Sequence, residues 1–165
     1  MATSSYTARN VNFTGYAGTW GATSTATIYG NLTLSTGIVL TGTTNTLTFG
    51  ATSGTKTITS NGKTMDFPVT FNGVGGTWQL QDAMTLGSAR TGTLTNGTID
   101  LFGKTLTVGT RFTTATGTKN ITFNGGTLVC PDPNTTSFNN AAPTNFTTTA
   151  GTGTGTISMT AATAK

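Results

Sequence analysis

Apolar residues alternate with threonine or aspartate along residues 90–109, which read RTGTLTNGTIDLFGKTLTVG. Within this stretch, Asn96-Gly97 and Gly103-Lys104 break the alternation. A period of two is typical of β-strands, because successive side chains point to opposite faces, and glycine beside a polar residue is typical of a tight turn. The stretch therefore predicts short strands separated by glycine-containing turns.

The same pattern repeats along most of the chain. Residues 13–20 carry Phe-x-Gly followed by Gly-Thr-Trp, and residues 71–78 carry both again, 58 positions later. SGTKTITSNGKT at residues 53–64 resembles TGTKNITFNGGT at residues 116–127, 63 positions later. Self-similarity at long intervals indicates a repeat protein. We therefore predict two long repeats that together form a β domain over residues 11–130.

The two flanks differ from this domain in composition. Residues 1–10 are polar and predict a short N-terminal arm. Residues 131–165 hold three of the four prolines and little alternation, which predicts an extended connector followed by a C-terminal strand at 154–160. Because an unpaired strand exposes backbone donors and acceptors, we expect this strand to be able to pair with another subunit.

Composition supports an all-β fold. The chain has 46 threonines and 23 glycines among 165 residues, and only 7% of its residues are charged. Threonine suits a pleated strand, and glycine supplies the positive φ of tight turns. A parallel β-solenoid (β-helix) explains the repetition, the low charge and the threonine excess together. The alternative is an antiparallel β-sandwich, in which Asn-Gly pairs would close hairpins.

Charge and cysteine content exclude several classes of function. The net charge of +4 rests on eight cations that are scattered along the chain, so we predict no nucleic-acid partner. Cys130 is alone, which excludes a disulfide within the chain and a zinc cluster. No apolar stretch approaches about 18 residues, so we predict no membrane insertion. The first ten residues lack the features of a signal peptide, and we expect synthesis in a cytoplasm.

Few residues are candidates for catalysis, and we predict no enzymatic activity, no cofactor and no metal site. The chain has no histidine, which removes the commonest general base. Its two Gly-Lys-Thr triplets lack the upstream glycine of a phosphate-binding loop. Asp66 and Asp100 lie at similar places in their units and are the best candidates for a glycosidase pair, although a solvated strand face explains them better.

Two tryptophans are the candidate binding residues. Trp20 and Trp78 occupy matched positions in the predicted repeats. Exposed indole rings could stack on sugars, whereas buried ones would fill the solenoid core, which is the commoner use of a large aromatic side chain. Both interpretations stay open at the level of sequence.

Two protein families have similar sequence motifs. GTIDLFGKTLTVG resembles the repeat units of right-handed β-helical passenger domains in autotransporter adhesins, and residues 70–126 resemble more closely β-repeat structural proteins of aquatic tailed bacteriophages. Unlike the adhesins, this sequence shows no signal peptide and no translocator, and it is far shorter than a typical passenger. The phage resemblance implies a virion protein that leaves its host by lysis.

Together these observations predict a non-enzymatic structural protein of a tailed-phage virion, either a capsid decoration or a fibre or appendage protein. We expect it to bind copies of itself as a homo-oligomer, with a trimer favoured, and to contact other virion proteins and a host surface glycan. The alternatives are a carbohydrate-binding or adhesin module at a cell surface and, less favoured, a glycan-cleaving tail spike.

Overall fold

The chain forms a parallel β-solenoid. A computed structural model describes residues 5–21, 24–41, 44–131 and 137–159. These residues contain 19 strands and no helix, and their strand pairings are parallel. The described chain makes about six turns. The predicted all-β solenoid is confirmed and the antiparallel sandwich is wrong, because each strand pairs with the strand one turn later instead of folding back as a hairpin.

Each turn contributes strands to three faces. The strands of the first face are β1 (Tyr6–Ala8), β4 (Ala26–Ile28), β7 (Leu47–Phe49), the start of β10 (Val69–Leu80), the start of β12 (Gly92–Asp100), β14 (Phe112–Thr114) and β17 (Phe138–Asn140). Those of the second face are β2 (Val11–Asn12), β5 (Leu32–Thr33), β8 (Gly54–Thr59), the ends of β10 and β12, β15 (Lys119–Thr122) and β18 (Phe146–Thr149). Those of the third face are β3 (Thr19–Gly21), β6 (Val39–Thr41), β9 (Thr64–Met65), β11 (Met84–Leu86), β13 (Thr105–Thr107), β16 (Thr127–Cys130) and β19 (Thr156–Met159).

The stacking unit is one turn, and each predicted long repeat spans nearly three of them. Strand partners on the first face lie 20 to 26 residues apart, from Tyr6 opposite Ala26 to Phe112 opposite Phe138. The 63-residue match joins β8 and β15, which lie on the same face three turns apart. The 58-residue match joins different faces, because stacking conserves the alternation of inward and outward positions and not the identity of the residues.

The solenoid extends beyond the predicted domain boundaries. β1 lies within the segment predicted as an arm, and β17 to β19 lie within the segment predicted as a connector. Within the predicted C-terminal strand, Thr156–Met159 form β19, whose neighbour is β16 of the same chain. Polar segments join the sheets here because pairing satisfies their backbone groups whatever their side chains are.

One predicted turn is a bend inside a strand. β12 runs through Asn96-Gly97 without interruption, although Gly97 has a φ of +87°. A Cβ at Gly97 would lie 2.4 Å from the carbonyl oxygen of Gly73 one turn earlier, so glycine is needed for the close stacking of corners. The prediction that Asn96-Gly97 ends a strand is therefore wrong, whereas Phe102-Gly103 does form a turn.

Inward side chains make one apolar core. Phe49 and Phe71 stack with ring centroids 5.2 Å apart, and Trp78 packs against both. The outward positions of the first face form a ladder of threonines on successive turns, ending at Asn139. Its threonines are Thr7, Thr27, Thr48, Thr70, Thr93 and Thr113. The fold therefore offers a regular, uncharged row of hydroxyl and methyl groups.

Candidate functional site

The two tryptophans occupy different environments. Trp78 lies on the second face with no exposed surface, so its ring cannot reach a sugar. Trp20 lies on the third face opposite Leu40 and is partly buried, with its ring 5.1 Å from that of Phe13 and 5.6 Å from that of Phe67. Trp78 therefore serves the core, and Trp20 belongs to the first turn, where the core reaches the end of the solenoid.

Asp66 and Asp100 do not come together. Asp66 follows β9 on the third face, where its carboxylate accepts a hydrogen bond from Arg90 Nε at 2.7 Å. Asp100 ends β12 on the second face and is 8% exposed. It accepts hydrogen bonds from Gln79 Nε2 at 3.0 Å, Phe102 N at 3.0 Å and Asn124 Nδ2 at 2.8 Å. The arrangement lacks the facing pair that glycoside hydrolysis needs.

The remaining described carboxylate also caps backbone. Asp82 accepts hydrogen bonds from the backbone N–H groups of Ser60 (2.7 Å) and Asn61 (2.5 Å) one turn earlier. Asp132, the fourth carboxylate of the chain, lies outside the described residues. Each described aspartate therefore binds hydrogen-bond donors of its own or a neighbouring turn, or an arginine. A structural role explains all three residues.

Cys130 is a buried thiol at the end of β16. Burial raises its pKa to about 11, against a smaller opposing effect of a backbone hydrogen bond at Phe112. A neutral, covered thiol is a poor nucleophile and a poor metal ligand. Among the residues that the structure describes, no group of three or more histidine, cysteine or acidic side chains is placed to hold a metal, and no helix is long and apolar enough to cross a membrane.

The first described turn of the solenoid contains a cavity. A cavity of about 250 Å³ reaches into the first turn, where Val11, Phe13 and Trp20 are only partly buried. Tyr6 is 60% exposed at the mouth and belongs to the inward row that continues through Ala26 and, at the far end, reaches Phe138. This turn thus presents apolar side chains, and no strand of the described residues pairs with the outer edges of β1 to β3.

A second cavity is a polar cleft at the corner between the first and second faces. Its volume is about 450 Å³, and it extends over the first three turns. Arg9 and Lys56 contribute cations, and Tyr29, which is 47% exposed, contributes an aromatic ring. The other lining residues are Asn10, Gly30, Asn31, Ala51, Thr52, Ser53 and Thr55. Sequence reasoning missed this site, because its residues come from three turns and share no motif.

No family model, no curated protein and no solved structure matches the chain.

Proposed function

We propose that this protein is a non-enzymatic structural component that assembles end to end with copies of itself. The observation that supports this most is the first described turn, where an apolar cavity lies beside strand edges that pair with no other described strand. A parallel solenoid can continue its ladders into a second copy, because all strands of the two molecules then run in the same direction. Such a stack would place Phe138 of one copy near Tyr6 of the next.

The scarcity of charged residues near both ends favours this assembly. Residues 137–159, which hold the three last strands, contain no charged residue, and residues 5–21 contain only Arg9. Proteins usually protect edge strands from self-association with charged side chains, proline or bulges. Here Pro143 lies between β17 and β18, and no charge stands on the described end strands themselves. Uncharged edges favour pairing with another copy over solvation.

End-to-end contact makes a different assembly from a ring. The contact is heterologous, because the N-terminal patch of one copy meets the C-terminal patch of the next, and repetition without closure produces a filament. The trimer predicted from sequence, which would cover the solenoid ends and the terminal strand, would instead need a contact that closes after three copies. Within a tailed-phage particle, which the sequence resemblance favours, a filament suits a fibre or appendage, whereas separate copies with one density per capsomer would suit a decoration protein.

Charge placed at either end tests the proposal. Tyr6→Lys and Met159→Lys put an ammonium at residues that are 60% and 64% exposed in the single chain, and Val74→Lys does the same at a residue that is 63% exposed on a central corner. We expect light scattering and negative-stain images to show elongated oligomers for the wild type and Val74→Lys and monomers for the two end variants. A monomeric wild type, or oligomers that all three variants retain, would contradict end-to-end assembly.

A further inference from the structure

The polar cleft lined by Arg9, Tyr29, Asn31 and Lys56 brings two cations together. Arg9 and Lys56 are the charged residues of the first two and a half turns: residues 5–21, 24–41 and 44–56 contain no others. Both line this one cleft. Three acidic side chains are described, and none of them is within ion-pair distance of either cation. Two unbalanced positive charges therefore face the same cavity.

The side chains of the cleft are mostly donors. The side-chain oxygen of Asn10 accepts a hydrogen bond from Asn31 N at 2.8 Å, and that of Asn31 accepts one from Thr57 N at 3.0 Å. These bonds fix the amide orientation and leave each NH₂ group as the one available for a ligand. A guanidinium and an ammonium have no acceptor at all. A ligand that satisfies this set must be rich in acceptors and negatively charged.

Close stacking of the turns determines the shape of the cleft and the position of the Tyr29 ring on its wall. A Cβ at Gly30 would lie 2.1 Å from both the Arg9 carbonyl oxygen and Asn10 Oδ1, so this corner requires glycine. A Cβ at Gly50 would lie 3.2 Å from Tyr29 Cε1, so the ring lies across a backbone that has no side chain. The exposed ring offers an apolar face with a hydroxyl at its tip. This combination fits the C–H face of a sugar ring beside an anionic group.

We propose that the cleft binds an acidic oligosaccharide that carries carboxylate or sulfate groups. The cations lie on the first and third turns, which are separated by two strand spacings of about 4.8 Å each. That span suits a chain with charges on successive sugars better than a single small anion. Nucleic acid is the less favoured ligand, because phosphate recognition along a strand uses a longer track of cations and stacked bases.

The test is calorimetric titration of the full chain with oligogalacturonate, a sulfated heparin-derived oligosaccharide, a neutral cello-oligosaccharide, inorganic sulfate and oligo(dT). We expect one or both acidic oligosaccharides to bind and the neutral one not to bind. Arg9→Gln, Lys56→Gln and Tyr29→Ala should each weaken binding about tenfold, since each removes a charge-assisted bond or the aromatic contact. The matched variants Lys104→Gln and Arg111→Gln, which lie outside the cleft, should change affinity less than about twofold.

Three results would overturn the proposal. Binding that the control variants reduce as much as the cleft variants would show a general charge effect. Equal binding of the neutral oligosaccharide would show that the cleft does not select acidic oligosaccharides. Binding of oligo(dT) through Arg9 and Lys56 without saccharide binding would assign the cleft to nucleic acid. Each result can be told apart from failure of assembly, because Tyr6→Lys and Met159→Lys act at the ends and leave the cleft residues in place.

Discussion

The first turn and the central turns differ in how completely their strands are covered. In residues 5–21 no apolar side chain is fully buried, and the third-face strands β3 and β6 form a separate two-stranded sheet. In the central turns β10 and β12 extend over 12 and 9 residues, and Trp78, Phe71 and Leu94 are buried completely or almost so. Position in the stack, and not residue type, accounts for this difference.

The comparison shows where the stability of a solenoid resides. A central turn has a neighbour on both sides, so its inward residues contact apolar atoms above and below, whereas an end turn has one neighbour. Hydrophobic stabilisation scales with the apolar area removed from water, so equal side chains contribute unequally in the two places. The end turns are therefore the natural place for local opening, and for docking of another copy.

The largest expected difference is between the two tryptophans. Trp78→Ala should lower the free energy of unfolding by about 3–5 kcal/mol, because it leaves a cavity in a fully covered core. Trp20→Ala should lower it by less than about half of that, since the open end already admits solvent. Urea unfolding followed by circular dichroism measures both, with Trp→Phe variants as controls. Equal losses would mean that the first turn is covered in solution.

The two aspartates give the next comparison. Asp100→Ala leaves three donors from three successive turns without their acceptor in a nearly buried place, and we expect a loss of about 2–3 kcal/mol. Asp66→Ala removes an ion pair whose carboxylate side is 43% exposed, and we expect a loss below about 1 kcal/mol. The same denaturation assay tests both. A larger effect at Asp66 would contradict this ranking.

The free energy of unfolding at alkaline pH should show whether the last turn covers Cys130 in the folded chain. The pKa of this thiol is about 11 in the folded chain and 9.0 when unperturbed, so between these values the unfolded chain loses a proton that the folded chain keeps. The free energy of unfolding should therefore be unaffected by the thiol below about pH 9 and fall by roughly 2 kcal/mol as the pH rises toward 11.

Comparison with Cys130→Ala isolates this effect from other alkaline titrations. Stability measured at about pH 8 and about pH 10.5 should fall more in the wild type than in the variant. An identical fall in both would show that solvent already reaches the thiol in the folded chain.

The smallest effect concerns a backbone position. Phe102 has a φ of +48°, and the same corner holds Asn61 at +50° two turns earlier and Asn124 at +47° one turn later. Asparagine tolerates the left-handed region better than phenylalanine, so Phe102→Asn should raise the unfolding free energy by about 1 kcal/mol or less. Phe102→Ala is the control and should show no gain. A loss in Phe102→Asn would mean that the half-exposed ring contributes more by packing than the backbone gains.

Sequence alone determined the fold class and the alternation, and it left the candidate site undetected. Period-two patterning from residue 11 to residue 130 and the excess of threonine and glycine were sufficient, because pleated strands require only that inward positions be apolar and that turns be permissive. The same reasoning expected Asn96-Gly97 to end a strand, since a dipeptide pattern does not distinguish a turn from a corner at which two backbones approach closely.

Only the tertiary structure decided which residues meet. It placed Trp20 and Trp78 on different faces, separated Asp66 from Asp100, and brought Arg9 and Lys56 to one cleft. The physical reason is the length of each turn: residues become neighbours when they occupy the same corner of successive turns, and the interval between paired residues varies from 20 at Tyr6 and Ala26 to 29 at Thr127 and Thr156. A difference of a few residues in one turn moves a side chain to another corner, and a one-residue shift in register reverses its face.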